Sequence, residues 1–252
     1  MAGLQVVQIN DNSWTLDGGI GRAFVYKGTE KVLLVDTTAG VSDGDFQPVD
    51  VRAEVEKIAD GLPIVLVNTH GDGDHIGCNH QFETTLMHPA EFSYYASKSK
   101  PGDAIPVPIV EGDTIDIGGR VFEVIAFAGH TPGSIILLNR AERFIVGGDS
   151  ILQMVFVFGW QRSIRALIYS LENLKAKYDG TFDKIHAAHF ELIMDASHID
   201  KELAAAKQQL AKELKGVDPG FPIPLEPDGK PALLYMGDGC GFFDYAELPY
   251  YY

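Results

Sequence analysis

The sequence predicts an α/β protein in which two mixed sheets pack face to face with helices on the outside. Three observations carry that expectation. Short apolar runs bounded by turn residues are interspersed with segments of helical spacing. The order strands-then-helix occurs twice, which points to two similar halves. The chain of 252 residues is 46% hydrophobic and 22% charged, enough for one large core, and no low-complexity linker divides it. A single domain over 1–252 is expected, with an irregular extension from about residue 217.

The elements follow in order. Leu4 to Ile9, Trp14 to Leu16, Ala23 to Tyr26 and Val32 to Val35 read as strands, broken by Asn10-Asp11-Asn12, Asp17-Gly18-Gly19 and Lys27-Gly28-Thr29-Glu30. Val51, Val55 and Ile58 recur at helical spacing. Pro63 to Val67 is a continuous apolar run, the pattern of a strand buried on both faces. Pro89 to Ser97 reads as a short helix. Thr114 to Ile117, Val121 to Phe127, Ser134 to Leu138, Phe144 to Val146 and Ile185 to Ala188 read as strands. Arg162 to Tyr178 reads as a helix, and Ile199, Leu203, Ala206, Leu210 and Leu214 predict a long amphipathic one. The Pro-, Gly- and aromatic-rich tail from Pro219 is expected to be irregular, with a strand near Ala232 to Met236.

Composition narrows the function classes. A formal net charge of −15 repels phosphate backbones and anionic lipid, so neither nucleic acid nor a membrane is an expected partner. Two cysteines, Cys78 and Cys240, form neither a CxxC pair nor a disulfide framework, which suits a reducing, cytoplasmic compartment. No basic-then-apolar leader is visible at Met1–Gln5, and no apolar stretch has the ~18 residues of a membrane span. A small-molecule substrate is the expected partner, and self-association is compatible with the sequence.

The densest chemistry lies in Thr69-His70-Gly71-Asp72-Gly73-Asp74-His75-Ile76-Gly77, directly after a buried strand. Imidazole and carboxylate together are ligands for zinc, iron or manganese, and the interleaved glycines let alternate side chains converge. A polar turn with Asp72 or Asp74 as helix N-cap would explain one aspartate, but not two histidines flanking two aspartates. Three further positions sit at strand ends: His130 in Gly129–Ser134, Asp149 in Gly147–Ser150, and His189 in His186–His189. The expected metal set is therefore His70, Asp72, Asp74, His75, His130, Asp149 and His189, with His186 competing for the last place. His189 is preferred because Ala187 and Ala188 leave it at the strand's end.

These motifs resemble the metallo-β-lactamase superfamily, with its His-x-His-x-Asp-His loop followed by a histidine, an aspartate and a last histidine. Gly129-His130-Thr131-Pro132-Gly133-Ser134 matches the third motif nearly letter for letter, and Asp36 stands where the family's early strand supplies a supporting aspartate. The resemblance, from about Ile20 to His189, implies a four-layer αβ/βα sandwich with two divalent ions, most often zinc, at one edge. It implies His70, position 72 and His130 around one ion and Asp74, His75 and His189 around the other, with Asp149 bridging. A metal-bridging hydroxide, oriented by Asp74 as catalytic residue, would then cleave a small ester, thioester, lactone or amide.

The departure is at Asp72, where the family usually has histidine. An aspartate oxygen reaches as far beyond Cβ as a histidine Nδ1, so the geometry can survive. Two divalent ions set against Asp72, Asp74, Asp149 and a hydroxide sum to about zero, where a histidine leaves about +1. Iron or manganese, weak filling of the first site, or an Asp72 turned away are the open consequences. Two alternatives stay open: a di-iron redox protein resembling the flavodiiron branch, which carries a carboxylate at this position, and a non-catalytic metal-binding member of the fold. Cys78 reads as a small buried residue or a neighbour of the metals. Met154 to Trp160 and the aromatics Phe242, Phe243 and Tyr245 read as a greasy pocket wall, as core or as a subunit contact.

Overall fold

A computed structural model describes residues 4–18, 20–42, 46–159, 161–220 and 232–245. The first half contributes strands β1 (Gln5–Asn10), β2 (Ser13–Asp17), β3 (Arg22–Lys27) and β4 (Val32–Val35), then helix α1 (Val51–Ala59), β5 (Ile64–Val67), the short helix α2 (Gly73–Ile76), β6 (Thr84–Met87), α3 (Phe92–Lys98) and β7 (Ile105–Pro108). The second half contributes β8 (Thr114–Asp116), β9 (Val121–Ala126), β10 (Ile135–Asn139), β11 (Phe144–Gly148), β12 (Met154–Phe156), α4 (Ile164–Tyr178), β13 (Lys184–Ala187), β14 (Ile193–Asp195) and α5 (His198–Leu210). Strands β15 (Gly216–Val217), β16 (Ala232–Met236) and β17 (Gly241–Tyr245) follow.

Seven strands form the first sheet in the order β1 to β7, and six form the second in the order β14-β13-β11-β10-β9-β8. Both are mixed: β4 to β7 run parallel in the first, and β11 and β13 run parallel in the second. Three apolar clusters give the layering. Val51, Val55 and Ala59 of α1 pack on Leu16, Val25 and Leu34 of the first sheet. The opposite face of that sheet (Phe24, Tyr26, Leu33, Val35) meets Phe122, Val124, Leu137 and Val146 of the second. The second sheet's outer face (Ile125, Ile136, Ile145, Ile185) is covered by Leu167, Leu171 and Leu174 of α4 and Ile199 and Ala206 of α5. Helix, sheet, sheet, helix is the expected four-layer sandwich.

Local chemistry explains the helix ends. Asp50 caps α1 by accepting from Ala53 N, and Asp60 ends it in the left-handed region. Ser163 caps α4 by accepting from Ala166 N. The long helix expected through Leu214 stops at Leu210, because Lys212 takes a left-handed φ of 58° and turns the chain away. The tail is less irregular than expected. Strands β16 and β17 form a hairpin that joins β12 and β15 in a third, four-stranded sheet, while 221–231 and 246–252 lie outside the described residues.

Strand direction decides where chemistry can gather. β4 and β5 are parallel, as are β11 and β13, and β9 points the same way as β11 because both are antiparallel to β10. The loops after β5, β9, β11 and β13 therefore leave from C-terminal strand ends, where α/β sheets place their ligands.

Candidate metal centre

Those loops bring the seven expected residues together in two adjoining clusters. His70, Asp72 and His130 form one, and Asp74, His75, Asp149 and His189 the other, with ligand-type atoms within 4.8 Å of one another in each. In the first, His130 Nε2 lies 3.2 Å from His70 Nε2 and 3.0 Å from Asp72 Oδ2. In the second, Asp149 Oδ1 lies 3.1 Å from both His75 Nε2 and His189 Nε2, and Asp74 Oδ2 lies 3.3 Å from His189 Nε2. The other oxygen of Asp149 faces the first cluster, 3.8 Å from His130 Nε2. The carboxylate of Asp149 thus spans the two.

Histidine orientation is fixed from behind. His75 Nδ1–H donates to Asp36 Oδ2 at 2.8 Å, and His130 Nδ1–H donates to the Phe156 carbonyl at 2.9 Å. His70 Nδ1 lies 3.0 Å from Thr69 Oγ1, whose hydroxyl donates to Asp36 Oδ2 at 2.7 Å. Each of the three rings is thereby held with Nε2 toward the cluster. Asp36 also accepts from Thr69 N at 2.8 Å, and its own backbone is left-handed at φ 64°. A side chain forced into that region marks a site whose surroundings over-determine it.

Charge is concentrated here. Burial opposes ionisation of Asp149, but His189 and His75 outweigh it and hold the carboxyl well below its usual range. Burial likewise opposes protonation of His189, yet Asp149 and Asp74 raise its pKa from the ordinary 6.5 to about 9. The buried His75 is raised as well, by Asp149, Asp36 and Asp74. His75 Nε2 and Asp149 Oδ1 are buried without a hydrogen-bond partner. A buried imidazole nitrogen and a buried carboxylate oxygen 3.1 Å apart, both facing the cluster, are groups that a cation satisfies once the ring gives up its Nε2 proton. The donor set therefore fits divalent ions.

Asp72 points inward. It occupies the N-cap position of α2, but its side chain makes no cap bond. Its Oδ2 instead accepts from Arg162 Nη2 at 2.6 Å, and its Oδ1 accepts from the Tyr94 hydroxyl at 2.5 Å. Burial would raise its pKa, but the bonds to His130 and His70 and the Arg162 guanidinium hold it well below the carboxylate range. Neither Arg162 nor Tyr94 carries a sequence signal, since Arg162 lies in the loop before α4 and Tyr94 on α3, both remote in sequence from Asp72.

Glu91 is a further residue that sequence reading missed. It is fully buried at the start of α3 and accepts from Gly71 N at 2.9 Å and Gly133 N at 2.8 Å. One carboxylate thus ties the loop after β5 to the loop after β9. A Cβ on Gly133 would fall 2.7 Å from Glu91 N, so glycine is required there. His186 lies elsewhere: its Nδ1 is 2.8 Å from the Tyr26 hydroxyl, its ring stacks on Phe144, and burial lowers its pKa to about 4. Cys78 is buried beside α1, its thiol 3.6 Å from the Val49 carbonyl.

The centre opens into a cavity of about 650 Å³. Asp72, Asp74, His130, Asp149 and His189 line its floor, and Phe156, Phe158 and Phe243 form an aromatic wall with Arg162 and Lys98 at its polar side. The run from Met154 serves two of the expected purposes, since Val155 and Val157 point into the core while Phe156 and Phe158 face the cavity; Trp160 lies outside the described residues.

The four-layer sandwich with paired His/Asp clusters at its strand ends defines the class as an αβ/βα protein with a candidate binuclear metal site. The family model described as "Metallo-beta-lactamase superfamily" matches residues 16–182, and the chain belongs to that superfamily. An uncharacterised protein of Aquifex aeolicus is 30% identical over 137 residues, covering 46% of this chain and 64% of that protein. A hydroxyacylglutathione hydrolase of Vibrio parahaemolyticus is 32% identical over 106 residues, covering 42% of this chain and 40% of that protein. The human acyl-coenzyme A thioesterase MBLAC2 is 24% identical over 169 residues, covering 53% and 59% respectively. The chain thus spans between two fifths and just under two thirds of the length of these relatives. Among solved structures, a metallo-beta-lactamase from Pontibacter korlensis superposes with a TM-score of 0.65 at 18% identity, over 82% of this chain and 100% of that one. The DIM-1 metallo-beta-lactamase gives 0.65 at 17% identity, over 82% and 98%. At such identities the likeness is one of fold. Among the described residues, no helix is long and apolar enough to cross a membrane.

Proposed function

We propose that this protein is a metal-dependent hydrolase of small acyl esters, with thioesters as its preferred class. The observation that carries the reading is the pair of adjoining donor clusters joined by Asp149 at the floor of an aromatic-walled cavity. His70, Asp72 and His130 would hold one ion, and Asp74, His75 and His189 the other, with Asp149 between them. When bound, divalent ions supply the Lewis acidity that activates water and polarises an acyl carbonyl.

The chain's own residues do the rest. Asp74, at the cavity floor beside His189, orients the attacking water and accepts its proton at a carboxylate oxygen. Phe156, Phe158 and Phe243 receive the acyl chain and exclude bulk water. Arg162 returns beside Asp72 the unit of positive charge that a histidine-to-aspartate change removes, and so keeps the site electrophilic. Lys98, exposed at the cavity wall with its ammonium 5.4 Å from the Tyr94 ring centroid, is placed to meet an anionic leaving thiol. The names of two relatives, a hydroxyacylglutathione hydrolase and an acyl-coenzyme A thioesterase, favour thioesters within the class.

The test is a panel of acyl thioesters, oxygen esters, lactones and β-lactams assayed with zinc-, iron- and manganese-loaded protein. Thioesters should turn over fastest, and Asp74→Asn should lower kcat by about 100-fold or more. Equal rates for Asp74→Asn and wild type, or an oxygen-sensitive absorption band from two bound irons without hydrolysis, would overturn the reading.

A further inference from the structure

A second gathering of donor atoms lies outside this centre. His198 and Glu202 stand one turn apart on α5, and Cys240 closes the turn that leads into β17. Their ligand-type atoms lie within 4.8 Å of one another, and all three residues are buried. The Leu152 carbonyl joins them: it accepts from His198 Nε2 at 2.8 Å and from the Cys240 thiol at 3.4 Å. Leu152 follows Asp149 by three residues, so the group touches the segment that leaves the metal centre.

Glu202 is what packing cannot explain. It is wholly buried, and neither carboxylate oxygen makes a hydrogen bond. Cys240 and Leu152 belong to the same apolar cluster as Ile199, Ala205, Ala206 and Phe242. A leucine would satisfy such surroundings; an acid there needs a partner. His198 Nε2 stands 3.6 Å from Glu202 Oε2. Without a cation, Glu202 and Cys240 must both keep their protons, which is the direction in which burial pushes them.

The geometry suits an ion. A tetrahedral centre with bonds of about 2.0–2.3 Å has donor-to-donor edges of about 3.3–3.8 Å. The His198–Glu202 and Cys240–Leu152 separations of 3.6 and 3.4 Å fall in that range. The 2.8 Å His198–Leu152 edge is a hydrogen bond and must open by about half an ångström as the ring turns its lone pair to an ion. A thiolate, a carboxylate, a neutral imidazole and a carbonyl balance a divalent ion to zero net charge, the arrangement a buried site needs. One sulfur with nitrogen and oxygen donors selects zinc over calcium or magnesium.

We propose that His198, Glu202, Cys240 and the Leu152 carbonyl form a third, structural site for zinc that fastens the β16–β17 hairpin to α5 and to the segment after Asp149. Binding sends the thiol and carboxyl protons to solvent and changes no oxidation state. The hairpin turn already lies hard on the helix, since a Cβ at Gly237 would fall 2.7 Å from Ala205 Cβ.

Cobalt tests this directly, because a sulfur-to-cobalt charge-transfer band reports a thiolate ligand and the His/Asp centre contains no sulfur. Metal-free protein titrated with cobalt should develop that band, its final intensity equal to one thiolate-bound cobalt per chain while the His/Asp clusters take up cobalt without contributing to it. It should persist in Cys78→Ala, vanish in Cys240→Ala, and need about tenfold more cobalt in Glu202→Gln. Added zinc should displace it. A wild-type protein that fills its other sites without the band, or a band that survives Cys240→Ala, overturns the proposal. If Cys240→Ala does not fold, the wild-type spectrum and the near-isosteric Glu202→Gln decide the matter.

Discussion

Replacing Arg162 by methionine should destabilise the metal-free protein far more than the metal-loaded one. The guanidinium and the Asp72 carboxylate meet at 2.6 Å, and their side chains are only 12% and 14% exposed. Breaking a fully buried pair by removing one partner costs about 3–5 kcal/mol, whereas exposed pairs contribute about 0–1 kcal/mol. This pair lies nearer the buried limit, but Tyr94 and His130 still hold the carboxylate after the change. The expected loss in the metal-free protein is therefore about 2–3 kcal/mol, or about 5–10 °C in Tm for a chain of this size. With an ion beside it, Asp72 regains a counter-charge, and the loss should fall below about 1 kcal/mol. The difference, about 2 kcal/mol, must reappear as metal binding tighter by about 30-fold, because the thermodynamic cycle closes. Thermal melts of chelator-treated and zinc-loaded protein, with competitive zinc titrations, measure all four sides. Equal Tm losses in both forms, or unchanged or weaker zinc binding, would refute the placing of Asp72 among the ligands.

Asp36→Asn should cost about 3–5 kcal/mol and weaken metal binding by about 10- to 100-fold, since one amide oxygen cannot accept from Thr69 N on one side and from the Thr69 hydroxyl and His75 Nδ1 on the other, and the amide NH2 must face one of these donors; denaturant melts and zinc content check it. His189 gives the metal-free protein a pH-dependent stability. With its pKa raised from 6.5 to about 9, its contribution is complete below pH 6.5 and is lost as the pH rises through 9. Chelator-treated protein should therefore lose Tm over that window while metal-loaded protein does not; a metal-free Tm that climbs across it would contradict the assignment. His186→Gln should lower stability by about 1–3 kcal/mol through Tyr26 and leave zinc stoichiometry intact, whereas His189→Gln should lower zinc uptake; the reverse pattern would make His186 the ligand.

The strongly periodic parts of the fold were legible in the sequence. Apolar runs such as Val32–Val35 and Pro63–Val67 announced their strands, although only Leu66 and Val67 of the second are buried, and His and Asp residues just beyond strand ends announced the cluster. The short strands β6, β7, β12, β14 and β17 carry no such signal, because each is three to five residues long and is defined by pairing with a neighbour rather than by its own period. Arg162, Tyr94 and Glu91 were equally silent. Their importance arises from what they reach, at separations of 90, 22 and 20 residues from Asp72, Asp72 and Gly71. The stop of α5 at Leu210 was hidden for a related reason: Leu214 continues the apolar period, and only the left-handed turn at Lys212 removes it from the helix.

The carboxylate of Glu91 joins the two halves of the chain at the point where their ligand loops meet. The candidate ligands His70, Asp72, Asp74 and His75 come from one half and His130, Asp149 and His189 from the other, so neither half can assemble a cluster alone. The two contributions are held at their distance by one side chain gripping two backbone N–H groups, beside the Ile135 N–H that donates to the Thr69 carbonyl at 2.9 Å. Glu91 therefore acts as a gauge block: shortening it to aspartate would leave the charges of the site unaltered yet misalign the donors of one half against those of the other.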